Sequence, residues 1–257
     1  PIDAFCHTSR EDAICVNQLK SAKAVDSGIL KESADLQFYL PFKFYVYAPE
    51  QVFKPGTYNH YLIPPTGQAL ISQVDGISFA FPPSPPVSQI TDIPPSQFCN
   101  GDKKPADCGN DCSCIHQLDI PLGSIAEIVF FDQVPGTNLS HPFHLHGYAF
   151  NVIGMGRLPE TTEFDLKKAI DMDRQGLLNR TFDLPPAKDT IAVPKGGYAI
   201  IRFRADNPGY WLFHCHFAVH LAIGMAVVVH VGAQADLPPV PPGFPTCGDF
   251  SPAIGNP

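Results

Sequence analysis

From about residue 36 onward, short apolar runs recur along the chain, and turn-forming clusters separate them. Leu36, Phe38, Tyr39 and Leu40, followed by Phe42, Phe44, Tyr45, Val46 and Tyr47, read as strand. Segments 69–74, 77–81, 125–131, 149–153, 190–193, 199–204, 210–214 and 226–231 have the same character, rich in β-branched and aromatic residues. Pro64-Pro65, the run Pro82 to Pro86, Pro194-Lys195-Gly196-Gly197 and Asp206-Asn207-Pro208-Gly209 punctuate them. Regular strands between turn signals predict an all-β chain, a sandwich or a barrel. One stretch breaks the pattern. Around 162–178, Thr162 and Asp165 supply a capping signal, and Phe164, Ala169-Ile170 and Leu177-Leu178 give a partial apolar stripe, which predicts a single helical insertion. Residues 1–35 read as a polar arm, 36–233 as the folded body and 234–257 as a Pro-rich tail running extended over the surface.

The composition agrees with many short strands: 28 prolines and 20 glycines disfavour long helices. A formal net charge of −8 argues against nucleic acid and an anionic membrane surface as partners. No apolar run approaches the ~20 residues that a membrane helix needs. The start at Pro1-Ile2-Asp3 shows neither a Met nor a signal peptide, which is expected if the numbering begins partway through a longer chain.

Cysteines stand at 6, 15, 99, 108, 112, 114, 215 and 247. Seven lie in polar, Pro-, Gly- or Asp-rich sequence and read as a disulfide framework from an oxidising compartment, hence a secreted, extracellular protein. Cys6 and Cys15 close a short loop, and the middle four can pair among themselves. Cys247 is left to bond outside the chain. A zinc site at Cys108, Cys112, Cys114 and His116 is the lesser reading of that cluster. Sequons at Asn138 and Asn179 fit secretion.

Of ten histidines, six fall in two clusters: His141-Pro-Phe-His144-Leu-His146-Gly147, and His214-Cys215-His216-Phe-Ala-Val-His220 followed by Gly224-Met225. Side chains along a strand alternate faces. His214 and His216 then point to one side and Cys215 to the other. His144 and His146 share a face, and His141 has the opposite parity. Two metal environments follow, back to back. One collects His141, Cys215, His220 and Met225: two imidazoles, a thiolate and a thioether, the donor set of a one-electron blue-copper site. The other collects His144, His146, His214 and His216, imidazoles alone, suited to copper that handles dioxygen. Cys215 is peptide-bonded to both His214 and His216, a short covalent path between the two. Zinc has no need of the Met or of the back-to-back arrangement. His7, His60, His116 and His230 read as structural or surface residues, and Met155 and Met172 as filler.

At these residues the chain resembles the multicopper oxidases. HPFHLHG and HCHFAVHLAIGM are similar to the two C-terminal copper motifs of laccases and ascorbate oxidases. The likeness runs through RFRADNPG at 202–209 to the tail LPPVPPGFPTCGD, and the cysteine-rich run at 92–114 looks most like arthropod, including insect, laccases. The resemblance implies a cupredoxin-like Greek-key β-sandwich, here with one short helical insertion and disulfide-bonded loops. It implies type 1 copper on His141, Cys215, His220 and Met225, type 2 copper on His144, and a binuclear type 3 pair on His146, His214 and His216. It further implies oxidation of diphenols or catechols one electron at a time, with O2 reduced to water at a trinuclear cluster. That cluster needs histidines from two His-x-His motifs of an N-terminal domain, and this sequence holds no further His-x-His. The chain alone is thus expected to be inactive as an oxidase. Its partners would be a phenol, O2 and N-terminal laccase domains, from the same precursor or a separate chain, with Cys247 linked to them. Ala218 departs from the carboxylate that many fungal and plant relatives carry there. The rivals are an ascorbate- or metal-oxidising member and, in a different class, a type 1 copper electron-transfer module.

Overall fold

The structure is a computed structural model, and it describes residues 14–48, 51, 69–106, 108–133, 139–157 and 165–248. Among these, thirteen strands form two sheets. In chain order they are β1 (Leu36–Val46), β2 (Leu70–Val74), β3 (Ser78–Phe79), β4 (Phe98–Cys99), β5 (Ser113–Ile120), β6 (Ile125–Asp132), β7 (His141–Leu145), β8 (Phe150–Arg157), β9 (Ala187–Lys188), β10 (Thr190–Val193), β11 (Gly197–Arg204), β12 (Gly209–Cys215) and β13 (Ala226–Val231). One sheet runs β2-β1-β6-β11-β8-β9; the other runs β10-β7-β12-β13-β5-β3, with β4 also on β5. Pairing is antiparallel except for β1 with β6 and for β5 with β13, β3 and β4. Apolar side chains from both sheets meet in one core, among them Phe42, Phe130, Phe143, Phe150, Phe203 and Phe213. The result is the all-β, cupredoxin-like sandwich that the strand pattern and the resemblance predicted.

β6 is buried on all eight positions, because a second apolar cluster covers the outer face of its sheet. That cluster includes Ile29, Ala169 and Leu178. The 25–35 part of the polar arm is therefore docked. Arg202, buried with Glu127 at 2.6 Å, donates to the carbonyls of Ile29, Lys31 and Glu32, and Arg204 pairs with Asp26. Asp26 is held down at about 2 by the Arg204 hydrogen bond.

The predicted helical insertion is shorter than its apolar stripe. Among the described residues, α1 spans Pro86–Gln89, α2 Leu166–Arg174 and α3 Ala218–Ala222. Asp165 caps α2 by accepting from the Lys168 amide at 2.7 Å, and Gly176, at φ 70°, follows its end. Leu177 and Leu178 thus lie beyond the helix; Thr162 and Phe164 fall outside the described residues.

The cysteine-rich region pairs its cysteines as expected and needs one correction, in its secondary structure. Its sequence reads as loop, yet Ser113–Ile120 is a strand in which Leu118 and Ile120 face the main core. Its cysteines pair as Cys99–Cys114 and Cys108–Cys112, so the zinc alternative is set aside. Cys15 is disulfide-bonded; Cys6, like His7, His60 and Asn138, lies outside the described residues. Cys247 is free and exposed, its backbone held by the Gln89 side chain at 2.7 and 3.2 Å.

Candidate metal centre

β7 and β12 lie side by side, and their register sets the centre. His144 sits opposite His214, and Phe143 opposite Cys215. In β7, His141, Phe143 and Leu145 face the core, while the positions between them turn outward. Phe213 and Cys215 of β12 likewise belong to the core. Parity along two paired strands thus sorts the predicted residues onto two faces.

On the core face, the Cys215 sulfur lies 3.7 Å from His141 Nδ1 and 3.5 Å from His220 Nδ1. His220 comes from α3, the five-residue turn after β12 that folds back over the strand. Among the described residues, His141, Cys215 and His220 are the one trio whose donor atoms all lie within 4.8 Å of one another. Met225 is fully buried in the same core cluster; its amide donates to the His220 carbonyl at 2.9 Å, and its carbonyl accepts from the Cys215 amide at 3.0 Å.

The turn that carries His220 is anchored by residues the sequence did not single out. Ser72 Oγ donates to the His220 carbonyl at 2.8 Å, and Ser78 Oγ donates to the Ile223 carbonyl at 3.1 Å. Gly224, at φ 109°, allows the chain to come this close; an added Cβ would sit 2.0 Å from Ser78 Oγ. The only sequence signal is a serine at each of two buried strand positions.

On the outer face, four imidazoles gather. Ring centroids are 5.0 Å apart for His144 and His146, 5.8 Å for His144 and His214, 5.2 Å for His146 and His214, and 5.5 Å for His214 and His216. His144 Nδ1 faces the Asp189 carbonyl at 2.9 Å and Thr190 Oγ1 at 3.0 Å, and His214 Nδ1 faces the Cys215 carbonyl at 3.0 Å. A carbonyl only accepts, so each Nδ1 carries the proton and each Nε2 presents a bare lone pair. His214 Nε2 lies 3.2 Å from His146 Nε2. His146 and His216 are exposed, so this face opens to the surface.

Burial sets the protonation states. It lowers His141 to about 4 and lowers His220 and His214; it also lowers His146, helped by His144 and His216. It pushes the Cys215 thiol up to about 11. Neutral imidazoles are ready donors, whereas the thiol needs a cation beside it to ionise. His141 Nε2 is buried with no hydrogen-bond partner, and Nδ1 of the same ring has only the sulfur. That unsatisfied ring beside a thiol is the chemistry of a soft metal site.

The other histidines do not join either face. His116 is fully buried, with neither ring nitrogen partnered, and His230 binds Asp119 at 2.7 Å and stacks on Tyr210. Ala218 opens α3, exposed.

Comparison with known proteins matches residues 80–235 to the family model described as multicopper oxidase. Laccase-21 of Oryza sativa subsp. japonica is 43% identical over 132 residues, covering 50% of this chain and 20% of that protein. Laccase-2 of the same plant is 41% identical over 170 residues, covering 62% and 27%. Laccase-11 of Arabidopsis thaliana is 43% identical over 132 residues, covering 50% and 22%. The chain thus spans only about a fifth to a quarter of the length of these relatives. Among solved structures, Fet3p, a multicopper oxidase that functions in iron import, aligns with a TM-score of 0.49 at 22% identity, covering 78% of this chain and 32% of that one. The Botrytis aclada laccase gives 0.48 at 19%, covering 80% and 30%. The family model spans more than half of the chain and includes both histidine clusters, so the chain belongs to the multicopper oxidases, whose metal is copper.

Proposed function

We propose that residues 36–233 are the C-terminal copper domain of a laccase, which oxidises diphenols or catechols and reduces O2 to water together with N-terminal domains. One observation carries this reading: Cys215 turns its sulfur to two imidazoles in the core, while its neighbours His214 and His216 turn theirs to the opposite face. His141, Cys215, His220 and Met225 would hold type 1 copper. His144 would bind type 2 copper, and His146, His214 and His216 the type 3 pair. Bound copper supplies one-electron oxidation of the phenol at the first site and four-electron reduction of O2 at the second.

The chain's own residues prepare both sites. The core encloses Cys215 and His141 and excludes water from them. Ser72, Ser78 and Gly224 hold the turn that presents His220. The carbonyls of Asp189 and Cys215 hold a proton on Nδ1 of His144 and His214 and aim Nε2 outward. Laccase relatives support the substrate class, as does the absence of a carboxylate next to His141 or His220 in sequence. Secretion fits the disulfides and the sequon at Asn179, and Cys247, free and exposed, would bond to the partner domain.

Copper titration tests the assignment. The copper-loaded chain should show a Cu–thiolate absorption band that Cys215→Ser abolishes, and with its N-terminal domains supplied the same substitution should abolish phenol oxidation; retention of either contradicts it. A second reading has its own support: the sulfur-side trio is complete within this chain, whereas the outer imidazoles are more widely spread. On that reading the protein would act as a one-electron carrier, with the band but without oxygen uptake even when N-terminal domains are supplied.

A further inference from the structure

The sulfur-side trio is closed from the opposite sheet by two aromatic rings. β1 carries Phe42 and Phe44 on one face. Phe42 is fully buried, its ring 5.1 Å from that of His141. Phe44, two residues on and half-buried, meets the His220 ring edge-on at 5.0 Å and 73° and lies 5.9 Å from His141. Phe217, next to the strand that carries Cys215, also meets His220 at 5.1 Å and His141 at 6.4 Å, but it is 38% exposed.

His220 differs from the outer imidazoles in what fixes it. Carbonyls hold Nδ1 of His144 and of His214. Among the described residues, His220 Nδ1 faces only the Cys215 sulfur, so packing sets the ring's orientation. Phe44 is the ring that reaches both His220 and His141 from the far sheet.

We propose that Phe44 is a positioning residue: it fixes the His220 ring and keeps water from the Cys215 sulfur, and so raises the reduction potential of the copper held there. The inference rests on His141, Cys215 and His220 being the ligands. An oxidised copper–thiolate site carries one more positive charge than the reduced one, so a dry apolar shell favours reduction, and admitted water favours the oxidised form.

The test is a spectroelectrochemical titration of the Cu–thiolate band in the copper-loaded protein and in its Phe44→Ala, Phe44→Gln and Phe44→Leu variants. Ala and Gln should each shift the equilibrium at least tenfold toward the oxidised form, ~59 mV lower for a one-electron couple. Leu, which restores apolar bulk, should recover most of the shift. Gln is close to Phe in length and decides the question should Ala fail to fold. A variant that keeps the band at an unchanged or higher potential overturns the role of Phe44, as does a Leu variant that falls as far as Ala. Absence of the band from the unsubstituted protein overturns the ligand assignment instead.

Discussion

The two faces of β12 share one backbone and have opposite characters. The core face is enclosed and gathers three donor atoms into one compact group. The outer face opens to the surface, with two of its four imidazoles exposed. On the proposed assignment, the difference is how a single strand would serve two metal environments. Alternation supplies the sorting, and the sandwich supplies dryness on one side only. On the proposed assignment, the open face is the one that an N-terminal domain would complete.

Cys215→Ser should separate the two faces most sharply, abolishing the Cu–thiolate band while leaving copper binding by the outer imidazoles; a variant that keeps the band would erase the distinction. Gly224→Ala comes next. The strained backbone costs about 1–3 kcal/mol, with the clash against Ser78 in addition. Thermal unfolding should report a lower Tm, and the band should weaken through displacement of His220; an unchanged Tm would mean the turn does not depend on that contact.

On the outer face, Thr190→Val removes one acceptor facing His144 Nδ1. Copper affinity there should fall by up to about tenfold, the low end for an outer-shell partner. Equilibrium dialysis measures this, with the core-face spectrum unchanged; a shift in that spectrum would show the faces to be coupled. A separate effect is acid sensitivity away from both faces. Burial lowers His116 to about 3, aided by Lys104. Between its ordinary value near 6.5 and about 3, the unfolded chain takes up a proton that the folded chain refuses. Its contribution to stability is therefore full above about 6.5 and falls away as the pH drops toward 3. Denaturation of the metal-free protein across that range should show a shallower acid loss for His116→Phe; an equal slope would refute it.

Much of this is legible in the sequence because period two is a strong rule. The spacing of His141, His144, His146, His214, Cys215 and His216 assigns their faces once both segments are strands, and β7 and β12 are. His220 is harder, since a five-residue helix has no periodicity to read. The strand at 113–120 is hidden by its cysteines, although His116, Leu118 and Ile120 alternate with Gln117 and Asp119. Ser72 and Phe44 act across the sandwich and Ser78 from the far edge of the sheet that holds β12, and contacts between distant strands leave no local pattern. The arthropod likeness of the cysteine-rich run stays an expectation; Laccase-21, Laccase-11 and Laccase-2 are plant proteins.

Whether residue 215 and its two neighbours serve different coppers is tested most directly by anomalous diffraction at the copper edge, from crystals of the copper-loaded protein. One copper should be bonded to the Cys215 sulfur with His141 and His220, and separate copper should lie on the far side of the strand beside His214 and His216. A single copper shared by the sulfur and either flanking imidazole, or Cys215 found in a disulfide, would contradict this division.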